Sequence, residues 1–134
     1  MSIDEIYLSE AIKEARVGAK KQEEPVGAVV VVNGRVIGRA HQQTRSLRDP
    51  TAHAAMIALT QAAEASSDGR LKRAMLYLTE APCRMCLAAA QHVGICRITY
   101  GVRIKVAVFP RIKMIGGVLE KECATLRRGS ARAN

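Results

Sequence analysis

The sequence predicts a layered α/β domain built on a mixed sheet, and three observations carry that prediction. Apolar residues at helical spacing open the chain between Ile3 and Ala15. A Val-rich run from Val26 to Val32 follows, and Asn33-Gly34 turns it into a second extended stretch. From there to the last helix, stretches of helical composition alternate with short apolar runs, a pattern that lays helices against a sheet. With 134 residues and 49% hydrophobic content, the chain is expected to form a single domain, residues 1–134, that buries a core without disulfide staples.

Each element has a local reason. Ser2-Ile3-Asp4-Glu5 has the spacing of a capping box, and Ile3, Ile6, Leu8, Ala11, Ile12 and Ala15 keep one face apolar as far as Gly18. Glu24-Pro25 breaks that helix, and Val26 to Val32 suits a strand covered on both faces. Asn33-Gly34 supplies the two positive-φ residues of a type I′ turn into a partner strand, Arg35 to Ala40. His41 to Arg48 is polar and irregular. Asp49-Pro50 predicts the next helix start, with Asp as cap and Pro in the first turn, and the helix runs to about Glu64. After the loop Ser66-Ser67-Asp68-Gly69 come a strand from Ala74 to Thr79, a helix opened by Pro82 and running to about His92, and a strand from Ile95 to Tyr100. Val102, Ile104, Val106 and Val108 alternate with Arg103, Lys105 and Ala107, which predicts a half-buried strand interrupted at Pro110 and resumed over Ile112 to Ile115. Val118 to Arg128 reads as a closing helix with Leu119, Cys123 and Leu126 facing inward.

Composition narrows the function. A net charge of +9 and a pI near 9.9 favour polyanionic partners, nucleic acid first, because Lys and Arg release counterions from a phosphate backbone. Arg45, Arg48, Arg84, Arg103, Lys105, Arg111, Lys113, Arg127 and Arg128 are the expected contributors. One Phe, three Tyr and no Trp argue against a platform that stacks exposed bases. Of four cysteines only Cys83 and Cys86 are close, so no disulfide framework is expected. Asp4, Glu5 and Glu10 in the first turns are unlike a presequence, and no uncharged stretch approaches the ~20 residues that cross a bilayer. A cytoplasmic protein without a membrane partner is the expectation.

Cys83 and Cys86, three apart at a predicted helix start, can aim both sulfurs at one point, and a helix N-terminus favours thiolate. Alone, such a pair fits a zinc site, a redox dithiol or two buried thiols. His53 alone reads more readily as a hydrogen-bonded core residue. The three together give Cys2His ligation with a fourth position open, as catalytic zinc has. His41 and His92 read as ordinary surface or loop histidines, and Cys96 and Cys123 as small core residues.

Asp49-Pro50-Thr51-Ala52-His53-Ala54 and Pro82-Cys83-Arg84-Met85-Cys86 resemble the two signatures of the zinc-dependent nucleobase deaminases, nearest to the bacterial tRNA adenosine deaminases. Glu24-Pro25-Val26-Gly27-Ala28, the Asn33-Gly34 turn and Gly116-Gly117-Val118-Leu119-Glu120 share the likeness, which spans almost the whole chain. The resemblance implies a three-layer α/β/α cytidine-deaminase-like fold with a central mixed five-stranded sheet. It implies one Zn2+ per chain on His53, Cys83 and Cys86, substrate contacts from Val26, Gln42, Ala54 and Pro82, and a homodimer. The reaction implied is adenosine-to-inosine deamination in tRNA or single-stranded nucleic acid.

Two residues after the histidine the family carries a glutamate that shuttles protons, and here that position is Ala55. A methyl group carries no proton, and general acid–base catalysis is worth roughly 10²–10⁴-fold. The chain is therefore expected to bind zinc with little or no deaminase activity. Ala81 stands at a second family glutamate, and Glu80, displaced by one residue, is expected to point elsewhere. Gln42 replaces a base-contacting asparagine, which together with a shortened stretch before Gly116 leaves open a free-base deaminase acting on guanine or cytosine; a silent, zinc-stabilised nucleic-acid-binding module is a third reading, from another class. The segment from Tyr100 to Gly116 is shorter than the family's, so the fold is expected to be trimmed near residues 101–115.

Overall fold

A computed structural model of the chain describes residues 1–104 and 111–133, with side chains as far as residue 128. Helix α1, Ile3–Lys20, starts where the capping box predicts: the Ser2 hydroxyl accepts the Glu5 N–H, and the Glu5 carboxylate accepts the Ser2 N–H. Strands β1 (Gly27–Val32) and β2 (Arg35–His41) form the hairpin, with φ of 50° at Asn33 and 75° at Gly34, the signs a type I′ turn requires. Helix α2 (Ala54–Glu64), strand β3 (Met75–Glu80), helix α3 (Arg84–Val93), strands β4 (Arg97–Val102) and β5 (Lys113–Ile115), and helix α4 (Glu120–Ala133) complete the order.

The sheet runs β2-β1-β3-β4-β5, with β1 antiparallel to both neighbours and β3, β4 and β5 mutually parallel. Helices α2 and α3 cover one face and α1 and α4 the other. Period-two alternation divides the core accordingly. Ala28 and Val30 pack with Ala58, Leu59 and Leu87, while Val29 and Val31 join Tyr77 on the α1 side. Gly27 allows α1 to approach β1, since a Cβ there would collide with the Ala11 carbonyl. Cys123, packed with Leu8 and Ile12, joins α4 to α1 as expected, with Leu119 and Leu126 partly buried beside them.

Polar ties fix the outer helices. Asp4 accepts hydrogen bonds from the Tyr77 hydroxyl at 2.8 Å and from Arg97, pinning the first turn of α1 to β3 and β4. Burial, and then the Asp4 carboxylate, push the Tyr77 phenol up to about 12. Arg103 clasps Glu120 at the start of α4 through its backbone N–H (2.9 Å) and its guanidinium (3.2 and 2.9 Å).

Several expectations need correction. Asp49-Pro50 does not start α2: the Asp49 carboxylate accepts the Thr51 N–H (2.9 Å) and hydroxyl (2.7 Å), a local turn that competes with helix. The helix begins four residues later, at Ala54. Pro82 likewise precedes the N-cap of α3, which is Cys83. His41 is not a surface residue; it is buried at the end of β2, under Gly18. Cys96 is exposed, although its sulfur bonds the Ala74 carbonyl at 3.4 Å. Val102 ends β4, and Arg103 and Ile104 lie outside any strand. The rest of the alternation, from Lys105 to Pro110, lies outside the described residues. β5 is a separate strand parallel to β4. No helix among the described residues is long and apolar enough to cross a membrane.

Candidate active site

The site forms where α2 and α3 begin on the same face of the sheet. His53 is the N-cap of α2 and Cys83 the N-cap of α3, both in extended backbone, while Cys86 sits one turn into α3. Nδ1 of His53 lies 3.5 Å from the sulfur of Cys83 and 3.5 Å from that of Cys86. All three donor atoms fall within 4.8 Å of one another. Two ligands at ordinary Zn–N and Zn–S lengths and a tetrahedral angle stand ~3.6 Å apart, so the donor set fits zinc in spacing as well as chemistry. His53 is a cap residue and is not carried inside a helix as the sequence predicts. The displaced helix start leaves its ring at the end of α2 instead of along its side.

Exposure grades across the cluster: Cys83 is exposed, His53 half-buried and Cys86 buried. Burial, and then the neighbouring Cys83 sulfur, push the Cys86 thiol well above the ordinary range. This opposes the lowering expected from a helix start, because Cys86 lies under the helix end and away from water. A metal must therefore displace a proton held there firmly.

Beside the cluster opens a cavity of about 500 Å³, ample for a purine. Val26, Gln42, Ala54 and Pro82 all line it, with His53, Cys83 and Cys86. Ala55 also contributes to the wall and is buried, so the position lacking a proton carrier faces the cavity. Sequence reasoning missed Glu24, Leu78 and Ile104 as lining residues, and placed Glu80 elsewhere although it lines the wall. Of the carboxylates lining it, Glu24 accepts from Gln42 Nε2 at 3.2 Å, and Glu80 is gripped by Arg127 at 3.0 and 2.6 Å.

Glu23 was also missed. It is buried and accepts the backbone N–H groups of Arg45 (3.1 Å) and Ser46 (2.7 Å), tying down the loop that leads from Gln42 to His53. Burial pushes its carboxyl up, but the hydrogen bonds from Ser46 and Arg45, with His41 nearby, outweigh this and hold it below the ordinary carboxylate range. In the sequence it is only an acid before Glu24-Pro25, with no periodicity to mark it.

Among the basic residues expected to meet a polyanion, Arg103 and Arg127 are engaged in ion pairs, and Arg45 donates to the Gln22 carbonyl at 3.0 Å. Arg48, Arg84, Arg111, Lys113 and Arg128 are exposed. Lys105 lies outside the described residues.

Known proteins resemble this arrangement. The family profile described as the cytidine and deoxycytidylate deaminase zinc-binding region matches residues 1–102. A tRNA-specific adenosine deaminase of Bacillus subtilis is 35% identical over 142 aligned positions, which span 92% of this chain and 85% of that protein. A tRNA(Ile)-lysidine synthase of Thermus thermophilus is 41% identical over 130 positions, 93% of this chain but 24% of that longer protein. A structure solved in studies of A-to-I editing by tRNA:A34 deaminases superposes with a TM-score of 0.85 at 36% identity, covering 90% of this chain and 98% of that one.

Proposed function

This chain belongs to the cytidine and deoxycytidylate deaminase zinc-binding family, and from that premise we propose that its site is built for hydrolytic deamination of adenosine in tRNA. Water replaces the exocyclic amine, giving inosine and ammonia. The observation that carries the reading is the His53–Cys83–Cys86 cluster set in the wall of a purine-sized cavity, in a chain similar to tRNA-acting deaminases over nearly its whole length. His53, Cys83 and Cys86 would hold zinc, which supplies an acidified water as nucleophile near neutral pH. Val26, Ala54 and Pro82 form apolar wall against a flipped-out base, and Gln42 offers the polar contact that orients it.

The chain as it stands is a silenced member. Ala55 places a methyl where the reaction needs a group to take a proton from water and return it to the ring nitrogen and the leaving amine. It therefore binds tRNA through its basic surface and pocket without turning it over, working in the cytoplasm as one domain paired into a homodimer. The direct test is Ala55→Glu in zinc-loaded protein, assayed on a tRNA anticodon stem-loop. Inosine formed by the variant and not by the parent supports the reading. A variant that deaminates free guanine or cytosine and leaves the RNA untouched overturns the substrate assignment.

A further inference from the structure

We propose that Arg127, on the closing helix, is a positioning residue for the pocket: it ties Glu80 and Glu24 together and thereby fixes the side-chain amide of Gln42. This rests on the reading of the cavity as a nucleoside pocket, and it removes Arg127 from the residues that touch phosphate.

The chain of contacts is continuous. Arg127 grips Glu80 with two hydrogen bonds, at 3.0 and 2.6 Å, and reaches Glu24 Oε2 at 3.5 Å. Glu24 Oε2 in turn accepts from Gln42 Nε2 at 3.2 Å. Both carboxylates and the amide line the cavity. An ionised carboxylate only accepts, so it can hold the amide by its NH2 end alone. The carbonyl oxygen Oε1 is then the group left to a ligand, and it accepts from no described residue. The Gln42 backbone is fixed as well, its N–H donating to the Val26 carbonyl at 3.1 Å, so the remaining freedom at this position is rotation of the side chain.

Magnitudes favour positioning over stability. Arg127 is about half exposed, as is Glu24, and solvent-exposed pairs of this kind are worth only ~0–1 kcal/mol. The short bidentate grip on Glu80 anchors the guanidinium, and the longer reach to Glu24 holds that carboxylate by charge. Held between the two carboxylates, the guanidinium keeps this part of the pocket wall in one arrangement.

Because Ala55 prevents turnover, binding can be read at equilibrium, using zinc-loaded protein and an RNA hairpin with adenosine in its loop. Arg127→Ala is expected to weaken binding roughly three- to tenfold, the worth of one oriented hydrogen bond, and Glu24→Ala and Gln42→Ala to match it. Gln42→Ala combined with Arg127→Ala should be no weaker than either alone, since coupled residues are not additive. The salt slope of Arg127→Ala should equal that of the parent. A slope smaller by about one, the signature of a lost phosphate contact, overturns the proposal, as do additive effects or no effect. Should the hairpin fail to bind the parent, the nucleoside reading falls, and the tie is still decided by the Gln42 side-chain NH2 signals in NMR. These should move on Arg127→Ala toward those of a solvated glutamine; signals that stay put overturn it.

Discussion

Nδ1 of His53 and the sulfur of Cys86 stand 3.5 Å apart although 33 residues separate them in the chain. That contact exists only when α2 and α3 begin side by side on the sheet, so metal affinity and native structure are linked. Zinc is expected to raise the melting temperature, and Cys86→Ser or His53→Ala to abolish that increase. Because the Cys86 thiol is held protonated by burial and by Cys83, binding releases a proton and zinc affinity rises with pH. Calorimetric titration in buffers of different ionisation enthalpy checks this; a pH-independent affinity would sink it.

Ala55 lies in the wall of the cavity and is buried. Ala55→Glu is expected to raise deamination of an anticodon stem-loop over the parent by at least ~10²–10⁴-fold. Ala55→Gln, similar in shape but unable to carry the proton, should leave the rate at the parent level. Equal rates for the two variants would show that shape, and not proton transfer, is at issue.

Glu23 ties the Gln42-to-His53 loop to the end of α1. Removing it as Glu23→Ala strands two backbone N–H groups at a cost of about 1–3 kcal/mol. Its folded carboxyl sits below the ordinary value of 4.5, so the native state gives up a proton that the unfolded chain still holds. Its stabilisation is present above that unfolded value and is lost as pH falls through the folded one. Urea titrations at pH 7 and at mildly acidic pH should show a steeper acid loss for the parent than for the variant.

Tyr77 lies at the other end of the pH scale. Raised from 10.0 to about 12, its phenol keeps its proton in the folded state where the unfolded chain has lost it. The stabilisation is full below pH 10 and is lost as pH rises toward 12. Alkaline unfolding should therefore coincide with tyrosinate absorbance, and Tyr77→Phe should shift the transition to higher pH while reducing stability at neutral pH through loss of the Asp4 bond.

How far the sequence spoke depended on how local each signal was. Ser2 and Glu5 cap their helix and Asn33-Gly34 turn their hairpin because three or four residues suffice for each. The cluster is legible for a related reason: Cys83 and Cys86 share a helix turn, and the element order brings His53 to them. The start of α2 is not, because Asp49 satisfies its turn as well as it could cap a helix, and only the surrounding packing chooses between them. Glu23, the Glu24–Gln42 bond and the grip of Arg127 on Glu80 are illegible for want of any periodicity. Arg127 and Glu80 lie 47 residues apart in the chain, and their pairing becomes visible only when α4 is placed on the sheet.

The cluster also bears on the order of events in folding. His53 and Cys83, 30 residues apart, meet only after α2 and α3 have docked on one sheet face, so an ion finds its complete ligand set only once that packing is in place. An ion that engages so late does little for the folding rate and mainly slows escape from the native state. Zinc should therefore act as a ratchet, lengthening the native lifetime under denaturant or protease much more than it shortens the time to reach it.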